Sequence, residues 1–434
     1  MRHPRIASDS LMRWKFLNPS RQARRAALFA LGAVSLALII SGCASSAPTP
    51  MNDLTPLLNR HADQFGPVLT NAAEQRVQIL ISEVVNDRDG APRLRRHGYR
   101  VDAEYFYPAS SVKLCGAVAA LQTLEQLQAE HHTGDLLDAP LEIAPLFPGD
   151  VPQTNDVTNL RRGRITAGHE IRKVALVSDN QAFNRLFDLV GHERLNRSMR
   201  ELGLRSVVIN HRLSEPRNIP NPLASAEVKI FPEGGAPVIV PARVSQLALT
   251  NKAGRLLVGK GYLKGDTNLN EPMDFSRRNG ISLVDLQDLL IKVTRPDIEL
   301  GTPALNLTPA HRARLLQAMT EYPRESTNPL YAAKNYPDYY SKYLLPGVRR
   351  IFPSQDRGER VESTGKNGRA YGFSIENSYL HNPKNGRAVF VTAVIYTNAD
   401  GILNDDKYEY ETVADPFLEN LGELVARRWL TDAR

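Results

Sequence analysis

Ser110 and Lys113 stand three residues apart in the run Pro108-Ala109-Ser110-Ser111-Val112-Lys113. On a helix, residues at that spacing share one face. The first turn of a helix also offers unpaired backbone N–H groups and the positive end of the dipole. A serine placed there can act as a nucleophile, and a lysine one turn on can take its proton if the lysine's own pKa is depressed. Ser-x-x-Lys alone is a weak signal, since about one chance match is expected in a chain of this size. Ser363-Thr364-Gly365-Lys366 is indeed a second match. Context separates the two. Residues 112–130 are apolar nearly all round at their start, which describes a helix buried in the middle of a protein. The second match precedes a glycine-rich, strand-like stretch instead.

Two further groups could serve such a serine. Ser178-Asp179-Asn180 begins 68 residues after Ser110, within a helical stretch. Its serine could relay a proton to a leaving nitrogen, Asn180 could hydrogen-bond a substrate amide, and Asp179 would brace the turn. Lys366-Asn367-Gly368 runs into Arg369-Ala370-Tyr371-Gly372-Phe373. There a lysine would supply positive charge for a substrate carboxylate and for Ser178. The glycine would let an extended ligand lie against a strand edge. Taken singly, the first group also reads as a helix cap and the second as a surface turn.

Together and in this order, the three groups resemble the Ser-x-x-Lys, Ser-Asp-Asn and Lys-Thr-Gly signature of class A β-lactamases and penicillin-binding proteins. The resemblance runs over roughly residues 55–434, and is strongest to the class A-like serine hydrolases. The third group departs from the pattern, with Asn367 where Thr or Ser is usual. Ser363-Thr364-Gly365 is a rival for that slot, but Lys366 keeps the charge and leads into a strand. Residues 391–397 look like a conserved strand of that family. Glu215-Pro216, 37 residues after Ser178 in a loop beginning near Arg212, resembles the family's Ω-loop pair. Asn218 sits one residue nearer than the asparagine that accompanies it there.

The resemblance implies an acyl-enzyme mechanism with Ser110 as nucleophile and, as base, Lys113 alone or together with Glu215 through water. The N–H groups of Ser110 and Arg369 would form an oxyanion hole. Ser178 would protonate the departing nitrogen, and Lys366, Asn367 and Gly368 would bind substrate with Asn180. Glu215 would activate the water that releases the acyl group. The implied substrates are β-lactams or a peptidoglycan-like amide. A D,D-peptidase or esterase with the same serine chemistry is the nearest alternative, and a non-catalytic envelope lipoprotein that kept the fold is another. Between Glu215 and Lys366 the chain is far longer than a minimal β-lactamase, so an insertion borders the cleft.

The elements needed to position these residues follow from local pattern. Leucines at helical spacing predict a helix over 54–69, and β-rich stretches over 75–85 and 95–106 flank hairpin turn chemistry at 87–92. Helix is expected over 165–190, 282–293, 309–319 and 416–430, β-like runs around 228–231 and 236–245, and a strong strand over 388–397. Strands at both ends with helices between predict an α+β fold. The resemblance makes it β-lactamase/transpeptidase-like, with an antiparallel sheet from both chain ends. The sheet lobe would span about 54–109 and 360–434, and the helical lobe with the insertion about 110–359.

The first 42 residues carry seven basic side chains and one acid, followed by an apolar run at 26–40 and Ile40-Ser41-Gly42-Cys43. That is a secretory signal resembling a lipoprotein lipobox, with Cys43 as the lipidated residue and 43–53 as a tether. The expected location is the periplasmic side of a bacterial envelope, at the outer membrane by resemblance, since Ala44 follows Cys43. The whole chain has 54 basic and 47 acidic residues, net +7. Without the signal the balance is 47 to 46, so the basicity belongs to export and no nucleic-acid partner is implied. Cys115, alone in an apolar helix, should be a small buried residue. Ten histidines are scattered without ligand spacing, so neither a metal nor another cofactor is expected.

Overall fold

A computed structural model describes residues 51–159, 163–215 and 221–432. The expected signal peptide and Cys43, most of the tether, Pro216 and Asn218 lie outside the described residues. The architecture is α+β. Its main sheet holds β1 (Met51–Asp53), β2 (Gln78–Asn86), β3 (Pro92–Tyr99), β4 (Glu362–Gly365), β5 (Gly368–Ala370), β6 (Phe373–His381) and β7 (Ala388–Tyr396). The strand order is β1-β3-β2-β7-β6-β4, with β5 also paired to β6. Only β1 runs parallel to its neighbour, so the last three residues of the expected tether form an edge strand.

The sheet is sandwiched, and its sequence shows why. β7 is apolar on both faces, with alternate residues pointing opposite ways. Val389, Val391, Ala393 and Ile395 join Ile79 and Ile81 under α1 (Ala62–Thr70) and the C-terminal helix, packing on Phe65, Phe417 and Leu421. Phe390 and Val394 join Leu80 on the other face, against the helical lobe. The lobe holds α2 (Lys113–His131), α3 (Ala167–Val177), α4 (Asn180–Val190), α5 (Leu283–Thr294) and α6 (Pro309–Thr320). Then come α7 (Leu345–Ile351) and the C-terminal helix α8 (Asp415–Val425). No described helix is long and apolar enough to cross a membrane.

The expected elements are present with two differences that bear on the site. The second β stretch ends at Tyr99 and turns through Arg100 and Asp102, both at positive φ. The helix expected over 165–190 is two helices. Ser178 closes α3 in the left-handed conformation (φ 59°, ψ 37°). Asp179 then starts α4 as its N-cap, its Oδ1 accepting from Ala182 N at 2.8 Å. The serine is thus turned out of the helical path by a break that its neighbour's side chain stabilises, by about 1 kcal/mol for a typical cap.

α2 runs through the middle of the molecule, with residues 113–121 all buried. Cys115 is among them, and burial pushes its thiol up to about 12. Gly116 gives room to Phe183 of α4: a Cβ there would lie 2.7 Å from the ring.

Candidate active site

Ser110 lies in a 3₁₀ turn, Ala109–Val112, that runs directly into α2. Ala109 has φ +49°, a left-handed conformation rare for a residue with a Cβ, so the backbone is strained one residue before Ser110. A cleft of about 540 Å³ opens in front of Ser110, lined also by Ser178, Asn180, Asn367, Gly368 and Arg369. Six of the residues singled out by sequence therefore share one cleft.

The rival motif fails on geometry. Ser363 sits in β4 opposite Leu380, buried, with its carbonyl accepting from Lys342 Nζ at 2.6 Å. Residues three apart on a strand point to opposite faces. Ser363 and Lys366 therefore do not share one face as residues three apart on a turn of helix do.

Lys113 is fully buried, and its Nζ donates to Asn180 Oδ1 at 2.7 Å, to the Ser178 carbonyl, and to Ser178 Oγ at 3.2 Å. From the other side Lys366 Nζ reaches Ser178 Oγ at 2.9 Å and the Asn367 carbonyl at 2.7 Å. A serine hydroxyl is thus held between two lysine side chains. Burial holds Lys113 well below the usual lysine range, and the nearby charge of Lys366 adds to the effect. Burial likewise brings Lys366 down to about 7, with Glu376 opposing and Lys342 assisting.

β5 closes the other side of the nucleophile. A Cβ on Gly368 would lie 2.6 Å from Ser110 N and 2.7 Å from both Pro108 O and Ser111 N. The strand thus passes against the backbone of the catalytic turn, bringing its outer edge beside the Ser110 N–H. Gly368→Ala must push the strand away, because the atoms met are main chain. We expect it to slow acylation of Ser110 on the order of 10²-fold, the cost of an ångström-scale misplacement, while circular dichroism stays unchanged. Acylation at the parent rate would show that β5 has no part in the reaction.

Arg369 is anchored by its side chain. Its guanidinium lies between the rings of Tyr343 (4.5 Å) and Tyr410 (4.6 Å), donates from Nε to Ser374 Oγ at 3.0 Å and pairs with Asp415 of α8. Asn367 Nδ2 is buried and without a hydrogen-bond partner among the described residues, so the residue in the usual Thr position holds an unused donor.

The loop before Glu215 is pinned to α4. Asn184 exchanges hydrogen bonds with Leu213, through Nδ2 to its carbonyl (3.0 Å) and Oδ1 from its N–H (2.9 Å). Arg212 pairs with buried Asp188 and stacks on Phe187. Ser214, at φ +47°, accepts from Asn180 Nδ2 at 3.0 Å. Glu215 is the next residue and is partly buried. The loop therefore meets the cleft through Ser214, a contact that sequence reasoning missed.

It also missed the wall supplied by the insertion. Pro337, Tyr339 and Tyr340 line the cleft, and Tyr339 and Tyr340 remain 50% and 40% exposed. Their backbone is braced. Asp338 accepts from Arg324 (2.8 Å) and Arg349 (2.6 Å), and Ser341 Oγ donates to the Leu176 carbonyl at 3.1 Å. The dense tyrosines at 331–343 were the available signal.

A cavity of about 560 Å³ lies elsewhere, lined by Asp138, His169, Arg172 and Arg314. Two of its arginines are ion-paired, Arg314 with Asp138 and Arg172 with Glu321. Nearby, Asp156, His169 and Glu170 have ligand-type atoms within 4.8 Å of one another. Lys173 lies 2.7 Å from Asp156, and Arg185 lies 3.2 Å from Asp156 and 3.0 Å from Glu170. Cations of the protein already neutralise these carboxylates.

The protein is a serine hydrolase of the β-lactamase type. The chain belongs to the β-lactamase enzyme family, whose pattern it matches over residues 97–415. No curated protein matches the sequence. Among solved structures it is similar to a β-lactamase from Desulfarculus baarsii, at 17% identity over 86% of this chain and 98% of that one, with a TM-score of 0.46. A β-lactamase from Xanthomonas campestris pv. campestris is similar at 15% identity over 87% and 99%, with a TM-score of 0.46. One from Burkholderia vietnamiensis is similar at 16% over 85% and 96%, with a TM-score of 0.45.

Proposed function

We propose that the protein hydrolyses β-lactams through an acyl-enzyme on Ser110. The observation that carries this reading is the bracketing of Ser178 Oγ by Lys113 and Lys366 within the Ser110 cleft. Ser110 Oγ attacks the lactam carbonyl, and its proton passes to the Lys113 amine. The oxyanion rests on the N–H groups of Ser110 and Arg369. The C–N bond breaks as Ser178 gives its proton to the nitrogen, and the lysines beside it return one to Ser178. Lys366 and the unused amide of Asn367 receive the substrate carboxylate. Glu215 aims the water that cleaves the ester and frees Ser110. The Tyr339–Tyr340 wall lines the same cleft and meets the substituents of the bound lactam.

Intact-mass spectrometry during exposure to benzylpenicillin tests this. The expected result is a transient adduct on the Ser110 peptide and accumulation of ring-opened product. A lasting adduct would identify a penicillin-binding peptidase or esterase, and no adduct an envelope protein that kept only the fold.

We also propose that Cys43 is lipidated and holds the mature protein on the periplasmic side of the outer membrane. The pattern that supports this is Ile40-Ser41-Gly42-Cys43 after a basic and then apolar segment. Cys43→Ala should leave the precursor uncleaved and abolish incorporation of labelled palmitate. A Cys43→Ala protein that is still processed and still sediments with membranes contradicts the assignment.

A further inference from the structure

The strand edge beside Ser110 is built from very little chain. β5 has three residues, and β6 is its only strand partner among the described residues. Its register continues that of β4: Gly365 lies opposite Ser378, and Gly368 opposite Ile375. Between those two pairs, Lys366 N donates to Asn377 O at 3.0 Å. In an antiparallel ladder, residues that bond the partner strand alternate with residues that do not. Lys366, Gly368 and Ala370 therefore bond toward β6. The N–H of Arg369 points out from the free edge instead, next to the strand's contact with the Ser110 turn.

The side chain of the same residue goes elsewhere. Arg369 and Ser374 are cross-strand partners, so both side chains leave one face of the sheet. Three elements meet the guanidinium there. Tyr343 of the insertion and Tyr410, just before α8, place their ring centres 4.5 and 4.6 Å from it. Ser374 Oγ of β6 accepts from Nε at 3.0 Å, and Asp415 of α8 accepts from Nη2.

Each holder is itself fixed. Tyr410 Oη accepts at 2.8 Å from Gly372 N, in the turn that joins β5 to β6. Tyr343 N donates at 2.6 Å to Oε2 of buried Glu376, which leaves the same face as Ser374 two residues along β6. Asp415 opens α8, whose Phe417 and Leu421 are packed against the sheet.

We propose that Tyr343, Tyr410 and Asp415 are positioning residues. By fixing the Arg369 side chain they hold that residue's own N–H at the oxyanion site. The assignment rests on the reading of this N–H as an oxyanion donor. Such a donor must lie about 2.7–3.1 Å from the developing charge. A strand of three residues joined on one edge has few ladder bonds to keep that distance. A planar guanidinium suits the task. It lies flat between two rings while its N–H groups fork to separate acceptors, which an ammonium does not do.

The test uses the full chain and two probes of Ser110. Phenylboronic acid bonds reversibly to a reactive serine oxygen and becomes tetrahedral, with one hydroxyl in the place of the oxyanion. Its Kd is read by ¹¹B NMR. Benzylpenicillin acylation is resolved into the initial Kd and the acylation rate constant. Asp415→Asn and Tyr410→Phe should each weaken the boronate by about tenfold or more. Each should lower the acylation rate constant toward the ~10²-fold of an ångström-scale misplacement, with the initial Kd unchanged. Arg369→Lys should behave as Arg369→Met does. Arg369→Met with Asp415→Asn should be no worse than Arg369→Met alone, and Asp415→Glu should restore part of the parent rate. Glu411→Gln, at an exposed acid of the same segment, should match the parent.

A merely structural contact would change the amount of folded protein, read by near-ultraviolet circular dichroism. It would leave the rate constant and the boronate Kd of the folded fraction in place, and that outcome overturns the assignment. So does a tighter initial Kd in Asp415→Asn, which would mean that the released guanidinium binds substrate itself. If Asp415→Asn does not fold, Tyr410→Phe and Arg369→Lys still decide. Weakened boronate binding in variants of a protein that no penicillin labels would overturn the β-lactam reading and leave the positioning role. A parent chain that binds neither probe has no working oxyanion site, and both readings fall.

Discussion

Ser110→Ala should abolish acylation by benzylpenicillin, lowering the second-order labelling rate by at least about 10⁴-fold, as loss of a hydrolase nucleophile does. Lys113, Ser178 and Lys366 would still be in place, but no oxygen would be available to form the ester. The fold should survive. Ser110 is partly exposed at the cleft floor, and trimming a hydroxyl there opens no cavity in a packed core, so stability should change by no more than about 0.5 kcal/mol. Ser363→Ala is the matching control. Ser363 is a buried strand residue, and its removal should leave labelling at Ser110 intact. Adduct found on the Ser363 peptide in Ser110→Ala would show that the other Ser-x-x-Lys holds the nucleophile.

Glu215→Gln should still be acylated, and its adduct should outlive the parent's by ~10²–10⁴-fold, the usual contribution of general-base assistance. Acylation requires a nucleophile, a proton acceptor and an oxyanion site, and this mechanism draws none of them from the loop. Deacylation requires a water driven at the ester from the loop side. Ser214→Ala sharpens the experiment, because Ser214 is the loop residue bonded to Asn180. If the adduct lifetime changes in Ser214→Ala and not in Glu215→Gln, the loop acts through its serine and its contact with Asn180. If the parent adduct already lasts hours and neither substitution alters it, the protein is a penicillin-binding hydrolase without a deacylating water.

The distance between sequence and structure is uneven, for physical reasons. Ser110, Lys113, Ser178 and Asn180 were legible because their spacing is local. A turn of helix and a helix break impose their geometry on neighbours in sequence. The sheet was legible in β7, where a long β-branched run allows little else. Glu376 was not. It lies in a strand with buried Ser374, Asn377 and Ser378, and polar residues inside a strand buried on both faces declare only that partners exist. The partners come from elsewhere in the chain. Tyr343, which bonds Glu376, belongs to the insertion, Gln287 and Leu286 of α5 bond Thr392 and Asn377 across the sheet, and no local pattern names them. The tyrosine wall was equally hidden. Clustered tyrosines suggest a surface, but that Tyr339 and Tyr340 line the Ser110 cleft follows from the tertiary structure alone.

The strand pairing sets the order in which this molecule can come into being. In the sheet Val391 lies opposite Ile81, and Gly368 rests on the turn that holds Ser110. Contacts of such long sequence separation carry a loop-closure cost before they contribute stability, and domains dominated by them fold slowly. The helix that follows Ser110 is complete early in synthesis, yet Lys366 and the strand edge beside Ser110 arrive only with the last quarter of the chain. A nascent or truncated molecule therefore carries Ser110 without the groups that make it reactive, and reactivity should appear late and all at once in a refolding time course.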